Sequence, residues 1–486
     1  QCCSNGVHRF ENAGRRHCKG RLNRRHSRQS RNMENNGRLR PISRLYEAFI
    51  VSASSNTSNA AGAAQASPVM MFCYAPSTAN LMNYRVVPEF SFPDPQAILN
   101  GESTGDSDRE TFTFVLTESD SSRLYAFCRR YTATDSEGAR RPEVACIISR
   151  FCWYDVFSRV LDYVEETACG KNGALGVAAI VRRLSDAGLP RPGRSVQVPL
   201  KGVHPTLESL SIKRPENISS CTYDRRICML FRCLPVSKAV MLFFLMLTER
   251  RVILLSSKAS VLSDCVHALH SLLYPFHWQH IYTPILIKKM LDYVCAPMPF
   301  IIGVHICLLP DLKRMPMEEV VMVDLDRGRL RYNEKDVAHL PDEHFDAMVN
   351  AVTACIEHQT GDDQRDWAPL ASIFLDFFLH VFSNYRHYIQ PPAGPAPRGS
   401  SSSTDSSAGS GGGNRLKKSG SSSHLASSAT FDAEGFRHAQ RRTIAKFLSE
   451  FERSQMYEVM FRERATAACH GERWLDADPF ERALHL

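Results

Sequence analysis

The sequence lacks the motifs of the commonest enzyme chemistries. It has no G-x-x-x-x-G-K-[ST] loop, which excludes a nucleotide held by a P-loop, and no H-E-x-x-H pair for a catalytic zinc. Its 16 cysteines include no C-x-x-C pair, so neither a disulfide scaffold nor a zinc ribbon is expected. Cys146, Cys228, Cys265, Cys295 and Cys307 lie in apolar runs and read as buried, reduced thiols. A membrane span needs about 20 apolar residues. The strongest run, Ala239–Leu247, has nine, bounded by Lys238 and by Glu249-Arg250-Arg251. It is a buried helix. No n-region and h-region of a signal peptide is present, so the glycosylation triplets at Asn56 and Asn217 carry little weight.

Charge is uneven. Lys and Arg number 59 against 51 Asp and Glu, a net charge of +8. Residues 1–45 hold eleven Arg and Lys19 against only Glu11 and Glu34, leaving 47 basic and 49 acidic side chains elsewhere. That balance argues against a nucleic-acid footprint on the folded part. Residues 1–44 read as a disordered basic N-terminus. Met33 would be an ordinary start, with residues 1–32 unstructured or extraneous; a basic arm for acidic membrane or RNA is the rival.

From residue 45 the pattern is that of packed structure. Phe49–Val51, Val69–Tyr74, Thr111–Thr117, Arg123–Cys128 and Val144–Ile148 read as strands, the third and fourth paired across Glu118–Ser122. Trp153, Val156, Phe157, Val160, Leu161 and Val164 recur at helical spacing, with Asp155, Arg159 and Asp162 opposite. The unit 45–165 is therefore an α+β lobe. A helix over Ala174–Ser185 and the breaker cluster Gly188–Gly193 place an inter-lobe linker at 166–200.

Over 201–330 the grammar becomes α/β. Helices at Leu234–Thr248, Ser257–Leu273 (with Ser256 or Ser257 as N-cap) and Lys288–Val294 alternate with strands at Val252–Leu255, Ile281–Leu286, Phe300–Val304 and Val320–Asp324. This predicts a mostly parallel sheet covered on both faces. Helices at Phe345–Glu357, Trp367–Ile389 and Phe436–Arg464 make 331–390 and 431–465 a helical segment, and 466–486 a tail. The Ser/Gly/Pro-rich stretch 391–430 cannot bury enough apolar surface to offset ordering and reads as a disordered insert. Within it, Arg415-Leu-Lys-Lys-Ser419 presents Ser419 as a candidate phosphosite for a basophilic kinase.

Two clusters compete for chemistry. Cys265, His267, His270, His277 and His280 fall within sixteen residues, but the helix bearing the first three also buries Leu262, Val266 and Leu269. Core and bridging histidines are favoured over zinc. Glu318-Glu319 and Asp362-Asp363 read as solvated charge, with nothing nearby to suggest a desolvated cleft.

Three strings then carry a resemblance: Thr248-Glu-Arg-Arg-Val-Ile-Leu-Leu-Ser-Ser-Lys258, Leu272-Leu-Tyr-Pro-Phe-His-Trp-Gln-His-Ile-Tyr-Thr-Pro284 and Leu291-Asp-Tyr-Val-Cys-Ala-Pro-Met-Pro-Phe300. They closely resemble the central part of a DENN domain. Phe112–Thr117, Ala126–Arg129, Cys146–Ile148 and Trp153–Phe157 resemble its upstream segment, and Phe374–Tyr388 with Phe436–Phe461 its helical downstream segment. Within the family the wording is most similar to the connecdenn class, DENN domain-containing protein 1.

The resemblance implies a two-lobed DENN module: a longin-like α+β N-lobe and an α/β C-lobe with the helical downstream segment. It implies guanine-nucleotide exchange on a Rab small GTPase of endosomal traffic. The protein would then be cytoplasmic and peripheral on endosomes or clathrin-coated vesicles, with phosphoinositide or vesicle-coat association open. No nucleic-acid partner, transmembrane segment, metal or cofactor is expected; GDP, GTP and magnesium belong to the GTPase. Connecdenn proteins bind clathrin and adaptor through long tails, and with the sequence ending at Leu486 that recruitment is not expected here. No catalytic residue is needed, because an exchange factor acts by binding nucleotide-free GTPase more tightly than the loaded form. The rivals are a GTPase-activating protein, with Arg85 or Arg123 as its finger, and a non-catalytic Rab-binding scaffold. Polar positions at element ends supply the interface candidates: Asp155, Arg159, Glu249, Arg250, Arg251, Gln279 and His280.

Overall fold

The structure, a computed structural model, describes residues 44–58, 64–76, 84–94, 109–118, 120–134, 140–170, 173–204, 206–214, 226–358, 368–391, 429–472 and 478–484, with a short pairing of 31–32 and 40–41. Most of the basic N-terminus and of the 391–430 insert, Ser419 included, lies outside the described residues.

The N-lobe is built on a five-stranded antiparallel sheet in the order β2-β1-β5-β4-β3. Its strands are β1 (Ala48–Ser58), β2 (Ala64–Tyr74), β3 (Glu110–Thr117), β4 (Arg123–Thr134) and β5 (Arg140–Ser149). Side chains alternate between faces along a strand, and here both faces are buried. Leu124, Ala126 and Cys128 of β4 face helix α1 (Val87–Ser91) and three C-lobe residues, Ala259, Ile285 and Ile287. Phe127 and Tyr131 face the opposite layer. That layer holds α2 (Tyr154–Ala168), α3 (Gly173–Ala187) and a hairpin of β6 (Ser195–Pro199) and β7 (Ser209–Lys213).

The expected linker at 166–200 is therefore corrected. Val177, Ile180, Val181 and Leu184 of α3 and Val198, Leu210 and Ile212 of the hairpin are core residues of the N-lobe. The Gly188–Gly193 cluster is the turn between α3 and β6, with Gly188 and Gly193 at φ 69° and 72°, where an L side chain is strained. The alternation in Ser195-Val-Gln-Val and in Ser209-Leu-Ser-Ile already carried the hairpin signal.

The C-lobe sheet runs β9-β10-β8-β11-β12. It comprises β8 (Arg251–Ser256), β9 (Ile281–Leu286), β10 (Phe300–His305), β11 (Val320–Asp324) and β12 (Arg329–Arg331); only the β11–β12 pair is antiparallel. Val252, Leu254 and Ile301 face a large core, whereas Ile253, Leu255 and Ile302 face a smaller one. The large core packs α4 (Ile227–Cys233), α5 (Val236–Leu247) and α6 (Ala259–Leu272) against α7 (Asp342–His358), α8 (Ala368–Val381), α9 (Ala433–His438), α10 (Arg442–Phe451) and α11 (Gln455–His470).

Four further expectations change. The helix read over Trp367–Ile389 ends at Val381, and that over Phe436–Arg464 is three helices. The last break is made by Ser454, whose hydroxyl accepts from Tyr457 N–H as the N-cap of α11. The N-cap of α6 is Lys258, not a serine. The tail is packed as well: Glu481, in the short helix α12 (Pro479–Ala483), is fully buried. Its carboxylate accepts from Tyr385 Oη at 2.7 Å, Arg386 Nη2 at 2.6 Å and Arg464 Nε at 2.7 Å. Burial would raise its pKa, but those donors hold it below the ordinary value.

The edge strand β9 slips register against β10 between Thr283 and Leu286, around Pro284. A Cβ on Gly303 of β10 would overlap the Pro284 carbonyl oxygen. Gly303→Ala is expected to destabilise the C-lobe by roughly 2 kcal/mol or more, an overpacking effect against backbone that cannot swing aside. Denaturant melts of the variant check this, and an unchanged midpoint contradicts it.

Candidate functional site

The lobes meet along a seam crossed by several polar and aromatic contacts. Glu110 of β3 reaches the first turn of α6, where Ser260 N–H and Oγ each donate to Oε1 at 2.9 Å. A carboxylate there satisfies an otherwise orphan donor and complements the helix dipole. Arg123, the first residue of β4, donates through Nη2 to Trp278 O at 2.7 Å. Its Nη1 lies 3.1 Å from His270 Nε2, and its guanidinium lies 4.9 Å from the centre of the Tyr282 ring. Tyr154, at the start of α2, stacks edge-on to His267 (5.2 Å between centroids) and to Phe127 (4.9 Å), beneath the Arg226 guanidinium.

Burial sets the electrostatics of this seam. His267 and His270 are both held well below the ordinary imidazole pKa, first by desolvation and then by neighbouring basic groups: Arg226, His270 and Arg123 for His267, and Arg123 and His277 for His270. A neutral His270 is also what the contact requires, since Arg123 has only donors and Nε2 must accept. Burial likewise drives the Tyr154 and Tyr282 hydroxyls well above their ordinary range.

Beside the seam opens a cleft of about 360 Å³, lined by β3, β4 and α2 of the N-lobe and by Arg226 and Asp264. Asp155 lies on its wall, exposed, one turn before the equally exposed Arg159. These two do not form a carboxylate–guanidinium pair, because Arg159 Nε donates to the Asp155 backbone carbonyl at 3.2 Å. Deeper in the cleft, Arg129 is 2.6 Å from Asp162 and 3.1 Å from Glu165, tying β4 to α2.

The remaining candidates sit elsewhere, at the turn between α5 and β8. Glu249 has φ 51°, its N–H donating to Met246 O at 3.0 Å while Arg250 N–H donates to Leu245 O at 3.1 Å. This is the pattern in which glycine is usual. The Glu249 carboxylate accepts from Gln455 and Met456 N–H, at 2.9 and 3.0 Å, and lies 2.9 Å from His280 Nε2. Only 9% of its side chain is exposed. Glu249 and His280 are thus brought together as scaffold, capping α11. Arg250 pairs with Asp336 at 3.3 Å, and Arg251 lies 3.8 Å from Glu319. Gln279 is exposed and donates to His277 O at 2.9 Å. Arg123, the rival arginine finger, is held in the seam. Sequence reasoning missed Glu110, Tyr154, Arg226, Trp278 and Tyr282; the available signal was polar-tipped aromatics inside otherwise apolar strings. Among the described residues, no cluster of His, Cys, Asp or Glu is placed to hold a metal, and no helix is long and apolar enough to cross a membrane.

Residues 68–131 match the uDENN domain, and residues 140–328 match the DENN (AEX-3) domain. The chain is a DENN-domain protein. It is 32% identical over 398 residues to DENN domain-containing protein 2B of Homo sapiens, covering 80% of this chain and 32% of that protein. It is 40% identical over 243 residues to protein 2C (50% and 25% covered) and 33% identical over 319 residues to protein 2D (64% of each), both of Homo sapiens. The chain thus spans about a third of the length of protein 2B. These relatives do not support the expected connecdenn class, which is corrected accordingly. The two matches do not coincide with the two lobes. The uDENN match takes in β3 and most of β4, while the DENN match begins at β5, in the middle of the same sheet, and continues through β11.

Two outcomes are expected of the DENN module. Glu249→Ala should destabilise it by about 1–2 kcal/mol through loss of the α11 cap, and Glu249→Gly by less, since glycine relieves the left-handed backbone. Comparison of denaturant midpoints checks the order. For the seam, the sign follows from its lowered histidine pKa values: below the ordinary value of 6.5 the unfolded chain binds protons that the folded one does not. Stability present above 6.5 is therefore lost on acidification, by up to about 1.4 kcal/mol per pH unit for each histidine. Melting curves from about pH 7.5 to 5.5 test this, and His270→Gln should flatten the slope.

Proposed function

We propose that this DENN-domain chain is a guanine-nucleotide exchange factor for a Rab-family GTPase, acting in endosomal or vesicular membrane traffic. The observation that carries the reading is membership of the DENN family, with both matches folded into one two-lobed module. The polar cleft at the lobe seam, with Asp155 and Arg159 exposed beside it, supports a GTPase seated across both lobes. Exchange makes and breaks no covalent bond. The protein must favour the nucleotide-free GTPase, and by linkage it then weakens nucleotide binding by the same factor. A pre-formed surface suffices, and the neutral, desolvated seam beneath the cleft gives it rigidity. Of the two arginines weighed for an activating protein, Arg123 donates to Trp278 and His270 and is not available as a finger, whereas Arg85 is exposed.

Release of a fluorescent GDP analogue from a panel of Rab GTPases, run beside phosphate production, tests the reading. Faster release on at least one Rab without added phosphate is expected. Unchanged release throughout defeats it, and faster phosphate production elects an activating protein. Asp155→Arg should lower exchange at least about tenfold with the melting temperature unchanged, as for an exposed interface anchor. A matching fall in melting temperature would assign Asp155 to the scaffold.

A further inference from the structure

The α3 layer and the β6–β7 hairpin cover the face of the N-lobe sheet opposite to the one packed by Ala259, Ile285 and Ile287 of the C-lobe. Between Arg182 and Arg214 this layer has seven Lys and Arg against only Asp186 and Glu208. Two of the seven hold the hairpin in place. Arg183 Nη1 donates to the carbonyls of Pro199 at 2.9 Å and Lys201 at 3.2 Å, and the buried Arg214 donates to Pro190 O at 3.2 Å beside the Trp153 ring. Lys201 lies 3.5 Å from Glu208. Arg182, Arg191, Arg194 and Lys213 are exposed, with no carboxylate in ion-pair range among the described residues.

The hairpin's outer face carries mostly short, polar side chains. Ser195 lies opposite Lys213, Gln197 opposite Ser211 and Pro199 opposite Ser209, all exposed, while Val196, Val198, Leu210 and Ile212 turn inward. It bears no carboxylate. On α3, Leu175 stands 76% exposed, two helical turns before Arg182 and on the same stripe.

We propose that this face docks on an anionic lipid bilayer. Exposed cations without partners supply the attraction, each contributing near a charged surface. Hydroxyl and amide side chains level with them donate to headgroup oxygens, and Leu175 supplies an apolar contact at the margin. A single-stranded nucleic acid is disfavoured, because it needs a groove and aromatic stacking platforms, and the outward hairpin side chains are Ser, Gln, Pro and Lys. The docking face is separate from the cleft assigned to the GTPase and does not rest on the exchange reading.

Co-sedimentation of the full chain with vesicles of phosphatidylcholine alone, or with about one-fifth phosphatidylserine, tests the proposal. The chain should bind the anionic vesicles preferentially and release them as salt rises. The triple variant Arg191→Glu/Arg194→Glu/Lys213→Glu should bind at least about a hundredfold more weakly, with GDP release in solution unaltered. Glutamine at the same three positions should give a smaller loss in the same direction, which protects the test against misfolding of the reversal. The charge-matched control Lys288→Glu/Lys313→Glu/Arg314→Glu, on exposed C-lobe residues, should stay within about threefold. Equal losses in both triple variants would show net charge alone at work. Unchanged binding by the hairpin variants would assign it to the Arg-rich residues 1–45. Either result overturns the proposal, as does absence of a phosphatidylserine preference or displacement of the vesicles by single-stranded RNA.

Discussion

The two lobes are one module because polar groups of the N-lobe sheet terminate structure in the C-lobe. Glu110 completes the first turn of α6, and Arg123 closes on the Trp278 carbonyl and on His270 of the same helix. Removing one partner of either contact leaves a part-buried donor or acceptor unmet, which costs more than the bond itself contributes. The apolar contacts of Ala259, Ile285 and Ile287 with the sheet set the distance at which these polar groups meet. The geometry of the cleft, walled by β3, β4 and α2 with Arg226 and Asp264 beyond, follows from that docking.

The same seam explains why charge is absent where histidines are dense. His267 and His270 are excluded from water and lie beside Arg226 and Arg123, so both stay neutral. A cluster that in sequence suggests a metal is in the fold a set of aromatic and hydrogen-bonding contacts. Glu249 shows the complementary case. It occupies a left-handed position that favours glycine, and its carboxylate offsets that strain by meeting the first two donors of α11 and lying beside His280. Local backbone preference yields there to a contact about 200 residues away in sequence.

A module that works by surface complementarity needs rigidity in place of reactive groups. The buried Glu481 with its three donors, the Arg129 bridge from β4 to α2 and the seam itself supply it. Exposed polar side chains remain where these networks end, at Asp155 and Arg159 beside the cleft and on the hairpin beyond α3.

Most of the elements were legible in the sequence, because burial imposes periods of two and 3.6 that the apolar residues must follow. The strands of both sheets except β12, and α2, α5, α6 and α7, were readable from that patterning, and the DENN strings carried the family. The layer of α3, β6 and β7 was misread as a linker: its breakers are conspicuous, and periodicity says which face is apolar but not what covers it. Ser419 lies outside the described residues. Among the interface candidates, Glu249 and Asp155 look alike as acidic residues at element ends. Only the tertiary structure separates them, placing one carboxylate on the amides of α11 and leaving the other in solvent, because burial and hydrogen-bond partners are set by chain segments remote in sequence.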